Sequence, residues 1–188
     1  MVAPIRIARA DDAAQVAAIY APIVRDTFIS FETEAPDAAE MARRIETTLA
    51  THPWVVAEQD GGVIAYAYGS AHRARSAYRW SVDVTVYLAE AARGQGLGRR
   101  LYGVLLPLLA RQGFRSAFAG VALPNAASVG LHEAVGFEPI GVYRDVGFKL
   151  GGWRDVGWWR LGLDESAGKP DEPVPFRDLA PGLPAVLG

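Results

Sequence analysis

The 188-residue chain predicts an α/β domain, a mixed central sheet flanked by helices. Three observations point there. Segments of period-two alternation are interleaved with segments of helical period, as in domains that layer helices on a sheet. Residues 80–88, WSVDVTVYL, alternate over their whole length and mark a central strand. A Gly-rich turn, RGQGLG at 93–98, follows that strand and opens an amphipathic helix.

IRIAR (5–9) alternates and reads as the first strand. Asp11 or Asp12 can cap the next helix, whose face is Val16, Ile19, Tyr20 and Ile23; Pro22 leaves the end of that helix open. FISFETE (28–34) reads as an extended segment or loop. Asp37 and Glu40 resemble a capping box before a second helix carrying Met41, Ile45 and Leu49 on one side. WVVAE (54–58) and VIAYAYGS (63–70) form a hairpin through the turn residues 59–62, and an Arg-rich loop covers 71–79. In the strand 80–88, Trp80, Val82, Val84, Val86 and Leu88 share one face; Ser81, Asp83, Thr85 and Tyr87 share the other. The helix after the turn has Leu101, Val104, Leu105, Leu108 and Leu109 at helical spacing. Pro107 should kink it and Gly113 should end it. Residues 114–123 form the next strand, Asn125 caps a short helix ending before Gly136, and 137–153 and 154–163 read as two last strands.

From Asp164 onward the pattern changes. Five of the 12 prolines lie in the last 19 residues and the apolar period is lost. The expected organisation is therefore one folded domain over 1–163 and a Pro-rich tail over 164–188, packed on the surface or partly disordered.

Composition narrows the function classes. Lys and Arg number 19 against 21 Asp and Glu, a net charge of −2, so no basic excess points to nucleic acid or a membrane surface. There is no cysteine, which excludes thiolate metal sites, disulfides and a Cys nucleophile. With three histidines, a His-rich metal site is not expected either. The N-terminal stretch lacks an apolar run of signal-peptide length, and residues 101–110 are too short to span a bilayer; the expectation is a cytoplasmic protein.

The turn Arg93-Gly94-Gln95-Gly96-Leu97-Gly98 carries the first chemical signal. Glycines allow close backbone approach, and the free N–H groups of a helix start attract phosphate. A P-loop would need a Gly-Lys-Ser/Thr sequence, and a dinucleotide fingerprint would need Gly where Arg99 stands. Arg93, Arg99 and Arg100 favour a diphosphate ligand; the plain structural reading is a Gly-rich turn. A second motif lies one strand downstream: Asn125-x-x-Ser128-x-x-Leu131-His132-x-x-x-Gly136-Phe137, with Asn125, Ser128, Val129 and His132 on one helix stripe.

The two motifs, so spaced and so placed, resemble the GNAT N-acetyltransferase superfamily. The resemblance implies an acyl-CoA N-acyltransferase fold, its sheet splayed at an acetyl-CoA site with the pyrophosphate on the Gly-rich turn. The segments ARSAYRWSVDVTVYL, RGQGLG, LPNAASVGLHEAVGF, GFKLGGWRDVGWW and FETEAP are similar to the phosphinothricin and methionine sulfoximine acetyltransferase branch, over about residues 5–163. That branch acetylates the α-amine of amino-acid analogues.

Its site residues carry over by position. The acid proposed as general base falls on Asp83, where the family has the longer Glu. The helix residue that many members fill with an acid Tyr is His132, expected to help the departing thiolate. Cofactor contacts fall on Val86, on Arg93, Gly94, Gln95, Gly96, Leu97, Gly98 and Arg99, and on Asn125 and Ser128. Arg75 would grip a substrate carboxylate, with Arg73 and Arg79 near; Phe31 and the pair Trp158–Trp159 could wall the pocket. An oxyanion donor is expected at a backbone N–H of residues 83–86, where family members carry a bulge. Each residue has a structural reading as well: Asp83 as an acid paired with Arg75 or Arg79, His132 as a hydrogen-bonded core histidine, Arg75 as a solvated arginine, the tryptophans as packing.

The chemistry suits these residue types. An ammonium must lose a proton before it attacks a thioester, and a carboxylate or imidazole beside it can take that proton. Without cysteine, transfer straight from CoA to the amine is the expected route. The resemblance further implies a homodimer acting on a small-molecule amine, with no nucleic-acid or membrane partner. Other readings of the residues stay open: another acceptor such as a natural amino acid or a protein N-terminus, a non-catalytic acyl-CoA sensor, or a nucleotide-binding domain.

Overall fold

The structure, a computed structural model, describes residues 3–164, 166 and 168–187. Residues 1–2, 165, 167 and 188, which the expected domain and tail include, lie outside it. Twelve regular elements appear among the described residues. They are β1 (Ile5–Ile7), α1 (Ala13–Asp26), α2 (Ala38–Thr51), β2 (Trp54–Gln59), β3 (Gly62–Ala71), β4 (Ser81–Leu88), α3 (Leu97–Gln112), β5 (Ser116–Leu123), α4 (Ala126–Val135), β6 (Glu138–Lys149), β7 (Gly152–Gly162) and α5 (Phe176–Leu179). The strands form one sheet in the order β1-β2-β3-β4-β5-β7-β6. Only β4 and β5 run parallel; every other neighbouring pair is antiparallel.

Period-two alternation builds a core on each side of the sheet. Val55, Ala65, Ala67, Val82 and Val84 face Leu101, Leu105 and Leu109 of α3. Trp54, Val56 and Tyr66 face Val16, Ile19 and Ile23 of α1 and Met41 and Ile45 of α2. The two faces expected for β4 are those observed, which puts Asp83 and Tyr87 on the α1–α2 side. Among the described residues no helix is long and apolar enough to cross a membrane.

Local signals mostly act as expected. Asp37 accepts the backbone N–H of Glu40 at 2.8 Å, and Asn125 accepts that of Ser128 at 3.1 Å. Asp12 differs: its carboxylate accepts two hydrogen bonds from the Arg6 guanidinium and one from the Arg9 N–H, all at 2.8 Å, and makes no cap to α1. The half-buried Arg6 outcompetes the helix end for it. Helix α1 runs past Pro22 to Asp26, and α3 runs through Pro107 to Gln112. The β3–β4 ladder has no register shift from Ala65↔Leu88 to Ala71↔Val82, so the bulge expected at residues 83–86 is absent there.

Described residues beyond 163 are part of the body. Phe176 is buried to 1% exposure in the α3-side core, and Leu179, Leu183 and Leu187 pack against the same cluster. The proline spacing hides this, because one turn of helix and scattered leucines leave no period to read.

Candidate active site

The site begins where the sheet comes apart. Strands β4 and β5 pair at Ser81↔Ser116, Val82↔Ala117 and Asp83↔Phe118, and no further. The α-helical crossover α3 sits behind the gap, and α4 follows β5 directly. A groove of about 310 Å³ occupies the opening. Val86, Arg93, Gly94, Gly96 and Leu97 line it, and Gly98, Arg99, Asn125 and Ser128 complete the cofactor positions expected there. Gln95 does not line it; its side-chain amide donates to the carbonyl of Ala91 at 2.8 Å. Arg100 is also turned away, donating to the carbonyl of Ala3.

The turn has the form of an anion cradle. Gly94 and Gly96 both sit at φ +73°, and a Cβ at either would meet nothing within 4 Å. No side chain caps α3, so the N–H groups of its first turn face the groove without a capping partner. Gly98 works differently: a Cβ there would come 2.8 Å from Leu131, so its absence lets α4 close on α3. A diphosphate fits this donor set, two arginines and an uncapped helix start around an open glycine turn.

At the deep end lies a smaller cavity of about 80 Å³, lined by Val84, Thr85, Tyr102, Gly120, Ser128 and His132 among others. His132 is buried to 3% exposure. Its Nδ1 lies 2.7 Å from the Ser128 carbonyl oxygen and its Nε2 2.8 Å from the Tyr102 hydroxyl. A carbonyl only accepts, so Nδ1 carries the proton and Nε2 accepts from Tyr102. Burial pushes the His132 pKa down, against a smaller opposing effect of the Ser128 carbonyl, and burial pushes Tyr102 far up. The ring is therefore neutral with both nitrogens engaged inside the protein. Tyr102, unnoticed in the sequence, was detectable as the one phenol on an otherwise aliphatic helix face.

Asp83 lies on the other face of the sheet, so it and His132 flank the split from opposite sides. Neither Arg75 nor Arg79 pairs with it. Its carboxylate accepts from Nδ1 of His72 at 2.6 Å. Burial raises the Asp83 pKa, and the His72 hydrogen bond and the nearby Arg73 oppose that rise. The imidazole of His72 stacks on Phe118 of β5 at 4.4 Å, with Trp158 and Tyr78 edge-on at 6.0 and 5.9 Å. His72 is the principal residue that sequence reasoning missed. The hairpin register held the clue: Ser70 pairs Asp83, and His72, two residues on, shares its face.

Arg75 is exposed and lines a cavity of about 300 Å³ together with His72, Arg73 and Arg79. Arg79 pairs with Glu172 at 2.6 Å. Phe31 stands apart from all three cavities; its ring packs so closely over Gly147 of β6 that a Cβ there would collide with it. Ile29 instead lines the groove and its deep end. The segment around it is fixed by Glu32, which pairs with Arg44 at 2.7 Å and accepts from the Tyr20 hydroxyl at 2.9 Å. The two tryptophans separate: Trp159 joins the α3-side core, while Trp158 walls His72 and has a buried Nε1 with no partner among the described residues.

Comparison with known proteins gives a consistent result. The family described as acetyltransferase (GNAT) domain matches residues 5–158. A phosphinothricin N-acetyltransferase of Streptomyces viridochromogenes is 40% identical over 170 residues, 90% of this chain and 92% of that protein. One from Alcaligenes faecalis is 46% identical over 157 residues, 81% of this chain and 78% of its own. A phosphinothricin acetyltransferase from Sinorhizobium meliloti, solved in complex with acetyl-CoA, superposes with a TM-score of 0.87 at 39% identity, covering 93% of this chain and 96% of that one.

Proposed function

The chain belongs to the GNAT acetyltransferase family and is an acetyl-CoA-dependent N-acetyltransferase; from this premise we propose that its acceptor is the α-amine of a small amino-acid-like substrate of the phosphinothricin or methionine sulfoximine and sulfone type. One observation carries this reading. The split between β4 and β5 has a diphosphate cradle at one end, and Asp83 at its other border belongs to a separate polar cluster on the opposite face.

Acetyl-CoA supplies an activated acetyl thioester. Arg93 and Arg99, with the α3 N-terminus, hold its diphosphate; Val86 and Asn125 border the path toward the split. Arg75 grips the acceptor carboxylate as a bidentate donor. The Asp83 carboxylate, joined to His72, is the basic centre beside the amine. His132 has a supporting part, its neutral ring holding the Tyr102 hydroxyl at the deep end. The amine attacks directly, since a chain without cysteine offers no thiol for an acyl-enzyme.

The test is an acetyl-CoA-dependent assay of CoA release over amino acids and their sulfoximine, sulfone and phosphinic analogues. The expected result is acceptor-dependent release with methionine sulfoximine or phosphinothricin, at kcat/KM above that for the natural amino acids. Binding of acetyl-CoA with no release from any acceptor would refute it.

Gly96→Ala tests the cradle. A Cβ at φ +73° costs about 1–2 kcal/mol of backbone strain. If the turn relaxes to relieve it, KM for acetyl-CoA should rise about tenfold with kcat within a few-fold. Isothermal titration with CoA checks the same loss directly; unchanged affinity would remove the turn from the diphosphate site.

The homodimer is supported by the free edge of the sheet. Strand β6 ends the sheet and is exposed along most of its length, with Ile140, Val142, Tyr143, Val146 and Phe148 open to solvent and Trp153 of β7 at 61% exposure. A long apolar edge strand is a liability unless a partner covers it. The Lys149 ammonium anchors the hairpin by donating to the carbonyls of Val24 and Ser30, at 2.6 and 2.7 Å, and so holds that face in place. Light scattering should show a dimer for the wild type and a monomer for Phe148→Glu/Trp153→Glu. A wild-type monomer at micromolar concentration would refute the dimer. We place the enzyme in the cytoplasm, with its acetyl donor, and without nucleic-acid or membrane partners, in keeping with its near-neutral charge.

A further inference from the structure

We propose that His72 is the proton acceptor of the reaction, its Nε2 meeting the substrate ammonium while Asp83 orients and supports the ring through Nδ1. This rests on the acetyl-transfer reading and assigns the proton within it.

Four observations converge. The first is the hydrogen bond: Nδ1 of His72 lies 2.6 Å from Asp83 Oδ1. A carboxylate accepts, so Nδ1 carries the proton and the lone pair of the neutral ring is on Nε2. The second is that Nε2 is open. Among the described residues it has no hydrogen-bond partner, and the His72 side chain keeps 12% of its surface accessible. The third is rigidity. Phe118 stacks on the ring at 4.4 Å and Trp158 and Tyr78 close its edges, so the imidazole has one orientation to offer. The fourth is location. His72 and Arg75 line the same cavity of about 300 Å³. An α-amino acid has its carboxylate and amine on one carbon, so a carboxylate held by Arg75 brings the amine into that cavity with His72.

The arrangement also accounts for the aspartate. Asp83 is one methylene shorter than the glutamate of the resembling family, a loss of about 1.5 Å of reach. The imidazole stands beyond the carboxylate and restores that reach. Other charged or titratable groups around the cavity are already engaged or oriented elsewhere. Arg79 is paired with Glu172, Arg160 donates to Ser116, and His52 is held neutral by burial, its pKa lowered to about 4. Arg73 lies over the Trp158 ring at 5.4 Å. Arg75 remains for the carboxylate.

The proton balance follows. The ammonium gives one proton to Nε2, producing an imidazolium stabilised by Asp83. The freed amine lone pair forms the C–N bond as the thioester C–S bond breaks with its electrons on sulfur. The second nitrogen proton ends on that sulfur, and the proton on His72 is released to solvent, leaving the N-acetyl product, the CoA thiol and one proton.

The experiment compares purified wild type with His72→Asn, His72→Ala and His72→Ala/Asp83→Glu, using methionine sulfoximine as acceptor. The Asn amide reproduces the Nδ1–H bond to Asp83 but has no base at the Nε2 position. His72→Asn should lose at least 100-fold in kcat while its affinity for acetyl-CoA, measured by titration, stays within twofold. His72→Ala should lose as much, and the longer glutamate in the double variant should recover at least tenfold over His72→Ala. If His72→Asn keeps kcat within threefold of wild type, His72 only steadies Asp83 and the assignment is overturned. Absence of recovery in the folded double variant, shown by its retained acetyl-CoA binding, also counts against it. Wild-type turnover tests the reaction and the variant-to-wild-type ratio tests the residue, so the two failures are distinguishable.

Discussion

Asp83→Asn and Asp83→Ala should each lower kcat by about 10²–10⁴-fold, with acetyl-CoA affinity almost unchanged. Removing the carboxylate takes away both the negative charge that supports proton removal and, in the alanine, the partner of His72 Nδ1. The cofactor groove has no contact with Asp83, so the donor side should not notice. Stability gives the second reading. Burial raises the Asp83 pKa above its unfolded value, with His72 opposing. A carboxyl so shifted favours its neutral form in the native state. Its contribution to stability is fully present below the unfolded pKa and is lost as pH rises through the folded one. At neutral pH the ionised Asp83 therefore costs stability, and the uncharged Asn should melt no lower than wild type. A thermal melt beside the kinetic assay decides between the two roles. An inactive variant with equal or higher Tm marks a carboxylate kept for chemistry. Full activity, or inactivity accompanied by a large fall in Tm, marks a structural acid.

What could be read from the sequence followed from local physics. Alternation in residues 54–58, 63–70 and 80–88 depends on which side of a strand each residue faces, and the burial of Val55, Val56, Val82 and Val84 follows it. The Arg93–Gly98 turn and the Asn125 cap are likewise local, since a helix start needs partners within a few residues. Less legible features are set by tertiary contacts. The parting of β4 from β5 after Asp83 is a tertiary feature, and no residue in either strand announces it. The hydrogen bond of His132 to Tyr102, thirty residues away, forms only once α3 and α4 pack at Gly98. His72 falls between these cases. Its place beside Asp83 is implicit in the hairpin register, but the 71–79 stretch reads as an arginine-rich loop in which the histidine does not stand out. Phe31, named by resemblance alone, has its ring against the backbone of Gly147, while Ile29 lines the groove.

Phe176→Ala and a chain ending at residue 163 should both be strongly destabilised, which a dispensable tail would not allow. Phe176 is 1% exposed inside the α3-side core, where a Phe-to-Ala change costs about 3–5 kcal/mol. For a chain of this length that is a fall in Tm on the order of 10 °C. The shortened chain should fall further. It loses Phe176 together with Leu179, Leu183 and Leu187, and it strips Gln112 of half its partners. The Gln112 side chain is buried and donates to the carbonyls of Thr51 and Val174 at 2.8 and 2.7 Å, and the Val174 N–H returns to the Gln112 carbonyl at 2.8 Å. A buried amide left without such partners costs about 1–3 kcal/mol. The same segment reaches the substrate side: Glu172 and Pro173 wall the cavity of His72 and Arg75, and Trp80 donates its indole N–H to the Asp171 carbonyl at 2.7 Å. A shortened chain that still folds at low temperature should therefore show a raised acceptor KM with acetyl-CoA binding retained, because the diphosphate turn lies at the N-terminal end of α3 while the lost segment packs beside Gln112 at its C-terminal end. Differential scanning calorimetry reads the first effect and steady-state kinetics the second. A chain ending at 163 with wild-type Tm and KM would show that the proline-rich segment is an appendage. A coupled loss would show it to be a wall of the acceptor site, built from residues held by scattered tertiary contacts and not by one periodic face.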